Sequence, residues 1–167
     1  RDWKVETAQR DVKKSGPSKD HIRRMLYRPF DLRYTYYTGN SRGIYSSPQV
    51  NVMRHFFLPN QAFLWSRPQS PQFEFSVFVC NTLVDQCVVG NKSAGAGISY
   101  AGPLYVYPDT TKDDLFSPHE RQERIPNLSP KLMSALATAY KRAPTPEDVF
   151  NFIYAVLHSK QYSKKYS

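Results

Sequence analysis

Between Asp31 and Lys92 the chain repeatedly sets cationic and amide side chains beside small hydroxyl residues, mostly where turns are expected. Arg33, Tyr36 and Tyr37 come first, followed by Asn40, Ser41 and Arg42 in a Gly-Asn-Ser-Arg-Gly turn. Ser47-Pro48 then leads into a stripe of Val50, Met53 and Phe57, with Arg54 off that stripe. Ser66-Arg67-Pro68-Gln69 closes an apolar run on a proline-stiffened loop, and Asn91-Lys92-Ser93 repeats the polar, basic theme. These residue types suit nucleic-acid recognition. Arginine bonds guanine edges in pairs or clamps phosphate, Asn and Gln match adenine, and short hydroxyl side chains bond phosphate oxygens. The candidate contacts are Arg33, Tyr37, Asn40, Ser41, Arg42, Ser47, Arg54, Ser66, Arg67, Gln69 and Lys92. Tyrosines that stack on splayed bases would also suit RNA, which is the competing substrate.

The charge distribution points the same way. The 167 residues carry 23 Lys+Arg and 14 Asp+Glu, a formal +9. Residues 1–70 hold 13 basic and 5 acidic side chains, net +8, whereas residues 71–167 hold 10 and 9, net +1. From Leu32 to Phe73 there is no acidic residue at all. Localised positive charge attracts polyanions and speeds their association, although a basic face can also serve solubility alone. The coincidence of basic loops with an acid-free window favours recognition.

Other chemistries find no foothold. Pro108-Asp109 lacks the acid-x-Lys that would complete a metal-nuclease cluster, and Gly95-Ala96-Gly97 lacks the lysine and strand-then-helix setting of a phosphate loop. His21, His55, His119 and His158 are too far apart for zinc spacing. Neither a Gly-x-Ser-x-Gly elbow nor an Asn-Pro-Pro-aromatic stretch is present. The expectation is therefore a binding module with no catalytic residues, metal or cofactor of its own. Cys80 and Cys87 have no CxxC spacing and are expected as buried thiols. The apolar runs are far shorter than a membrane span, and no basic-then-apolar leader is visible, so the expected setting is the cytoplasm.

These side chains need elements to hold them. A weak apolar face of Trp3, Val5, Ala8 and Val12 predicts a helix, and Ser18 is expected to cap a second one carrying Ile22, Met25 and Leu26, ended by Arg28-Pro29. Leu32 to Thr38 reads as a strand, with positive φ expected in the turn through Gly39, Asn40 and Gly43. Ser47-Pro48 is expected to open a helix whose free amides could hold a phosphate. Strands are predicted over Ala62–Ser66, Phe73–Cys80, Thr82–Val89 and Gly102–Tyr107, then an exposed linker. Ser129-Pro130 and Thr145-Pro146-Glu147-Asp148 cap two amphipathic helices that predict a helical hairpin. The fold class is α+β: a mixed, mostly antiparallel sheet of about five strands with flanking helices. The expected layout is a single domain: a helical lead-in over 1–30, a sheet-rich recognition part over 31–108, a linker over 109–128 and the hairpin over 129–167. Starting on Arg1 without methionine, it reads as a piece of a larger protein.

In order along the chain, DWKVETAQR, YRPFDLRYTYYTGNSRGI, VMRHFF, SRPQ, VFVCNTLVDQCVVGNKS, PLYVYPD, PNLSP and PEDVFNFIYAVLHSKQY closely resemble the C-terminal target-recognition, or specificity, region of single-chain type ISP restriction-modification enzymes. The resemblance runs from Trp3 to Tyr166. It implies sequence-specific recognition of double-stranded DNA, positioning a target adenine for a methyltransferase part of the same polypeptide. It further implies that S-adenosylmethionine, ATP and magnesium belong to parts of the parent outside this chain. Within it, Arg28-Pro29-Phe30 reads as a structural block with Phe30 in the core, and Ser41-Arg42-Gly43 and Ser66-Arg67 match loops that meet DNA. Pro68 interrupts what is more often a Ser-Arg-Gln run. A module that docks against the methyltransferase with little DNA contact is the alternative. Independently of the resemblance, Tyr34, Tyr36 and Tyr37 cannot all face one way in a strand, so Tyr34 and at least one of its neighbours are expected in the core.

Overall fold

The computed structural model describes residues 3–66, 77–89, 98–108 and 123–166. Helix α1 spans Val5–Ser15. After a single 3-10 turn at Lys19–His21 come strands β1 (Ile22–Arg28) and β2 (Asp31–Tyr36). A one-turn helix α2 (Val50–Met53) runs on into a 3-10 turn at Arg54–Phe56. Strands β3 (Ala62–Ser66), β4 (Val77–Cys80), β5 (Leu83–Val84), β6 (Ser99–Pro103), β7 (Tyr105–Val106) and β8 (Ile125–Pro126) follow. Helices α3 (Pro130–Tyr140), α4 (Pro146–Leu157) and α5 (Lys160–Tyr166) end the chain. The α+β class is as expected.

The described strands divide among three small sheets rather than forming one: β2-β1-β5, β4-β3-β6 and β7-β8. All pairings are antiparallel except β1 with β5. The division arises at Leu104. The expected strand over Gly102–Tyr107 breaks there, because the Leu104 amide turns to Gln61 O (2.7 Å) while its carbonyl accepts from Asn127 N (2.7 Å), handing the chain from β3 to β8. The strand expected over Thr82–Val89 is likewise short. After Val84 the chain turns on Asp85, whose carbonyl accepts from Val88 N.

The helix expected after Ser18 is instead strand β1. Ser18 does cap, accepting from Asp20 N at 3.1 Å, but only the 3-10 turn. Ile22, Met25 and Leu26 have helical spacing, yet β1 is a central strand paired on both edges. Its neighbours Met25 and Leu26 point to opposite faces and are both buried, at 8% and 9% exposure.

The larger core gathers Met25, Leu26, Tyr37, Phe56, Ala62, Leu64, Leu83 and Val88, and a second gathers Leu104, Tyr105, Tyr107 and Phe150. Phe63 of β3 bridges toward α4 by stacking on Phe150 at 4.0 Å. Between the two lies Asn60. Its Nδ2 donates to His55 O (3.0 Å) and Tyr105 O (2.8 Å), and its Oδ1 accepts from Gln61 N (2.9 Å) and Tyr105 N (3.1 Å). His55, also buried, accepts from Tyr107 N at Nδ1, and burial lowers its pKa. Both cysteines are free, buried thiols, and burial raises Cys80 to about 12.

Helix α4 follows its sequence closely. Thr145 and Asp148 form a reciprocal capping box, with Pro146 in the first turn. A hydrogen bond of 2.6 Å from Tyr105 Oη to Glu147, with Arg124 over the Tyr105 ring, ties the start of α4 to β7. Among the described residues no helix is long and apolar enough to cross a membrane.

Asn60→Ala should lower the unfolding free energy by about 3 kcal/mol, because buried amides and carbonyls on two elements lose partners at once. Thr145→Ala, which removes one exposed cap, should cost only about 1 kcal/mol. Urea denaturation of both variants checks the ranking, and equal losses would mean that the Asn60 side chain does not join the two cores.

Candidate nucleic-acid interface

The Gly39–Gly43 turn is shaped from below by α1. Asp11, on the second turn of α1, is 6% exposed and receives four hydrogen bonds. Thr38 Oγ1 and Asn40 Nδ2 each donate at 2.7 Å, Ile44 N at 3.0 Å and Ser15 Oγ at 3.3 Å. Three of those donors belong to the 38–44 loop. Trp3, at the other end of α1, donates from Nε1 to the carbonyl of the same Ile44 at 2.8 Å. Gly43 is required by this closeness, since a Cβ there would run into the Asp11 carboxylate. The expectation of positive φ is met at Gly39 (77°) and also at Arg42 (55°), not at Asn40 or Gly43.

The far side of the loop rests on the first sheet. Tyr37 is 5% exposed and donates to Pro48 O at 2.6 Å, while Tyr45 shares a 2.6 Å hydrogen bond with Thr35 and donates to Met25 Sδ. Burial pushes the Tyr37 phenol up to about 12. The link from α1 to β2 is closed by Tyr36, whose hydroxyl donates to Gly16 O (2.8 Å) and accepts from Ser18 N (3.0 Å).

What projects from this frame is Ser41 and Arg42, both exposed. The Arg42 backbone is held by its amide donating to Ser46 O at 3.3 Å. Its guanidinium takes part in none of the ion pairs or hydrogen bonds found among the described residues. An outward arginine on a turn fixed at both ends can meet phosphate or a base edge without first breaking an internal pair.

A family model for the Type ISP C-terminal specificity domain matches residues 1–167. The chain belongs to that family. Two solved structures share the fold of this specificity domain: a cryo-EM DrdV–DNA complex, and LlaBIII, an ATP-dependent Type ISP restriction-modification enzyme bound to DNA. The first superposes with a TM-score of 0.68 at 23% identity, over 90% of this chain and 13% of its own. The second gives 0.63 at 22%, over 98% of this chain and 10% of its own. The domain thus spans only about a tenth of either neighbour. No curated protein matches it.

The remaining candidate residues of the specificity domain fall in different places. Tyr37 is a core residue, because its ring packs against Tyr45 and Phe57, so it leaves the list of surfaces that could stack on a base. Asn40 is exposed, but its amide nitrogen is engaged by Asp11 and Ser15 and serves to shape the loop. Arg33 is held by Asp31 through contacts of 2.8–3.1 Å and lies over the Tyr27 ring, and this pairing lowers the Asp31 pKa. Ser47 accepts from Gln49 Nε2 at 2.9 Å and does not open a helix. The residue before α2 is Gln49, left-handed at φ 50°, and α2 is one turn long. Arg54 is half-buried at the junction of α2 and the 3-10 turn, and Ser66 ends β3 opposite Ser99. Arg67, Gln69 and Lys92 lie outside the described residues, as does the interruption at Pro68.

Two expected core residues are in fact outside. Phe30 is 93% exposed at the tip of the β1-β2 hairpin, in left-handed conformation at φ 65°, and Tyr34 is 74% exposed on the edge strand. The hairpin reverses tightly at Pro29-Phe30, and among the described residues the aromatic ring near Phe30 is that of Phe78, at 6.4 Å and nearly perpendicular. The strand's buried aromatic work falls to Tyr36 and Tyr37. Asp11 went unrecognised as a loop anchor. The available signal was an acid beside Ala8 and Val12, on a helix face that has to be covered.

Burial pushes the Asp11 carboxyl up, but its hydrogen bonds from Ile44, Asn40, Thr38 and Ser15 prevail and hold it below its ordinary 3.8. Its contribution to stability is therefore full above the unfolded value and is lost as pH falls through the lower folded value. Below about pH 4 the stability gap between the native chain and Asp11→Asn should narrow. Denaturation curves across pH 2.5–6, about the carboxylate range, check this, and a gap that stays constant would mean that the folded carboxylate does not titrate as described.

Proposed function

We propose that this specificity domain recognises double-stranded DNA in a sequence-specific manner for a type ISP restriction-modification enzyme. The observation that carries the reading is the match of the entire chain to a specificity domain. It is supported by the net +8 of residues 1–70 and by the outward Arg42 turn. Both of these neighbours in fold are DNA complexes, which agrees with the same reading. In this proposal Arg42 contacts a base edge or phosphate, and Ser41, Arg54 and Ser66 lie on the same list of contacts. Arg67, Gln69 and Lys92 join them from sequence alone. The recognised site would place an adenine for a methyltransferase part of the parent polypeptide. S-adenosylmethionine, ATP and magnesium would act in that parent, outside this chain.

A second reading is an internal docking module with little DNA contact. The exposed Phe30 and Tyr34 on one hairpin favour it, since large apolar groups left outside a core mark interaction surfaces.

Binding of labelled duplex DNA over a salt series separates the two. Recognition through phosphates predicts a steep fall of log K with log salt, whereas a docking module predicts weak and flat binding. Arg42→Ala should cost about 1–3 kcal/mol at one base position, while Lys92→Ala should weaken all sequences alike and reduce the salt slope by about one. An Arg42→Ala chain with unchanged affinity and selectivity would remove that residue from the interface.

A further inference from the structure

The loop that carries Arg42 has few means of holding its own shape. Its internal backbone bonds are Arg42 N to Ser46 O at 3.3 Å and Gly43 N to Tyr45 O at 3.1 Å, and Arg42 itself occupies a left-handed conformation that a non-glycine residue adopts at a cost. The missing order is supplied from 27 to 33 residues away in sequence, by α1. One carboxylate collects the Thr38 hydroxyl, the Asn40 amide and the Ile44 amide, so both ends of the turn are referred to a single buried point. Gly43 fits between because it has no side chain, and Trp3 holds the next peptide group by donating to the Ile44 carbonyl.

We infer that Asp11 is a positioning residue for DNA selectivity: it sets the 38–44 turn so that Arg42 meets one base position, without touching DNA itself. The inference rests on the DNA-recognition reading. Its geometry is specific to a carboxylate, because four donors converge on two oxygens and an amide in that place would turn an N–H toward one of them. Asp11 is buried beneath the turn and makes no ion pair with Arg42 among the described residues. Its effect on DNA must therefore travel through the loop.

The test uses the 167-residue chain and a pool of 30-base-pair duplexes with a randomised centre, from which the bound fraction is sequenced. Four proteins are compared: native, Arg42→Ala, Asp11→Asn and the double variant. The native chain should select a site. Arg42→Ala should lose about tenfold discrimination at one base pair, as expected for a good arginine contact. Asp11→Asn should lose discrimination at that same base pair, while the salt slope of non-specific binding stays unchanged. In the double variant the second substitution should add almost nothing there, the signature of two residues acting through one contact. A purely structural Asp11 would instead weaken selectivity at all positions and add fully to Arg42→Ala, which overturns the inference. So does an Asp11→Asn chain that selects like the native one, or an Arg42→Ala chain without a lost position. If Asp11→Asn does not fold, Thr38→Val, which removes one of the loop's bonds to the carboxylate, should show the same position-specific loss, and its absence overturns the inference. A native chain that selects no sequence counts against DNA recognition itself, an outcome distinct from the others.

Discussion

The amide of Asn60 uses all four of its hydrogen-bonding positions inside the protein. Two go to Tyr105, one to His55 in the middle of the 3-10 turn and one to Gln61 just before β3. This matters because the described sheets are small, and neither core has a long ladder to bind it to the other. In sequence Asn60 falls between Phe56 and Ala62 of the larger core, and its bonds reach Tyr105 of the smaller. Asn60 stands at the seam, with His55 completing it through the Tyr107 amide. An apolar residue there would leave the Tyr105 and Gln61 amides without this acceptor, a cost that no gain in packing at one site offsets. The frame carrying the Arg42 turn is thereby tied to the helices.

The region around the turn is held in conformations that the chain would not choose locally. Among the described residues, four non-glycine positions have positive φ, Phe30, Arg42, Gln49 and Lys141, and the first three flank or lie in the proposed interface. Each is stabilised by its surroundings rather than by its own propensity. Phe30 sits where β1 and β2 reverse across a register shift, Arg42 where Ser46 and the Asp11 network close the loop, and Gln49 where its carbonyl accepts from Val52 N and Met53 N of α2. The strain is local, and the bonds that hold it are spread over α1, β2 and the loop after Tyr45. Selectivity built on such a loop is inherited from elements that never reach the ligand.

Much of this was legible in the sequence, and the failures have physical causes. The capping box at Thr145 uses only local residues, so α4 could be placed from four positions. Strand β3 is a short apolar run between a Pro-Asn turn and a polar loop, also a local signal. Strand β1 was misread because a central strand buried on both faces loses its alternation, and Ile22, Met25 and Leu26 then mimic a helical stripe. Phe30 and Tyr34 were placed inside on residue type alone, whereas the tight turn and the edge position of β2 leave them out. Arg42 stands out in the sequence by its turn residues, and the structure leaves it exposed on that turn. Asp11 and Asn60 do not stand out, because what makes them important is a partner 29 or 45 residues away. Long-range hydrogen bonds leave no mark on spacing.

A carboxylate beneath a cationic loop looks self-defeating if the loop is meant to meet a polyanion, since it subtracts from the local positive potential. The alternatives are worse. A hydroxyl or amide offers fewer lone pairs, and could not hold Thr38, Asn40, Ser15 and Ile44 together without turning one of its own donors toward a donor. An arginine could not accept at all. Only Asp or Glu gathers that many donors, and Asp is the shorter, which suits the close approach of Gly43 to the helix. The repulsion toward a polyanion is limited because the charge is one acid in a segment, residues 1–70, whose net charge is +8. The comparison with Arg33 makes the distinction plain. There the carboxylate of Asp31 lies on the same strand and takes the guanidinium for itself, so the arginine is ordered but engaged. Under the Arg42 turn the carboxylate takes the backbone and the polar neighbours, and leaves the guanidinium outside. Two acids thus do opposite things to two arginines, and the difference lies in which atoms reach them.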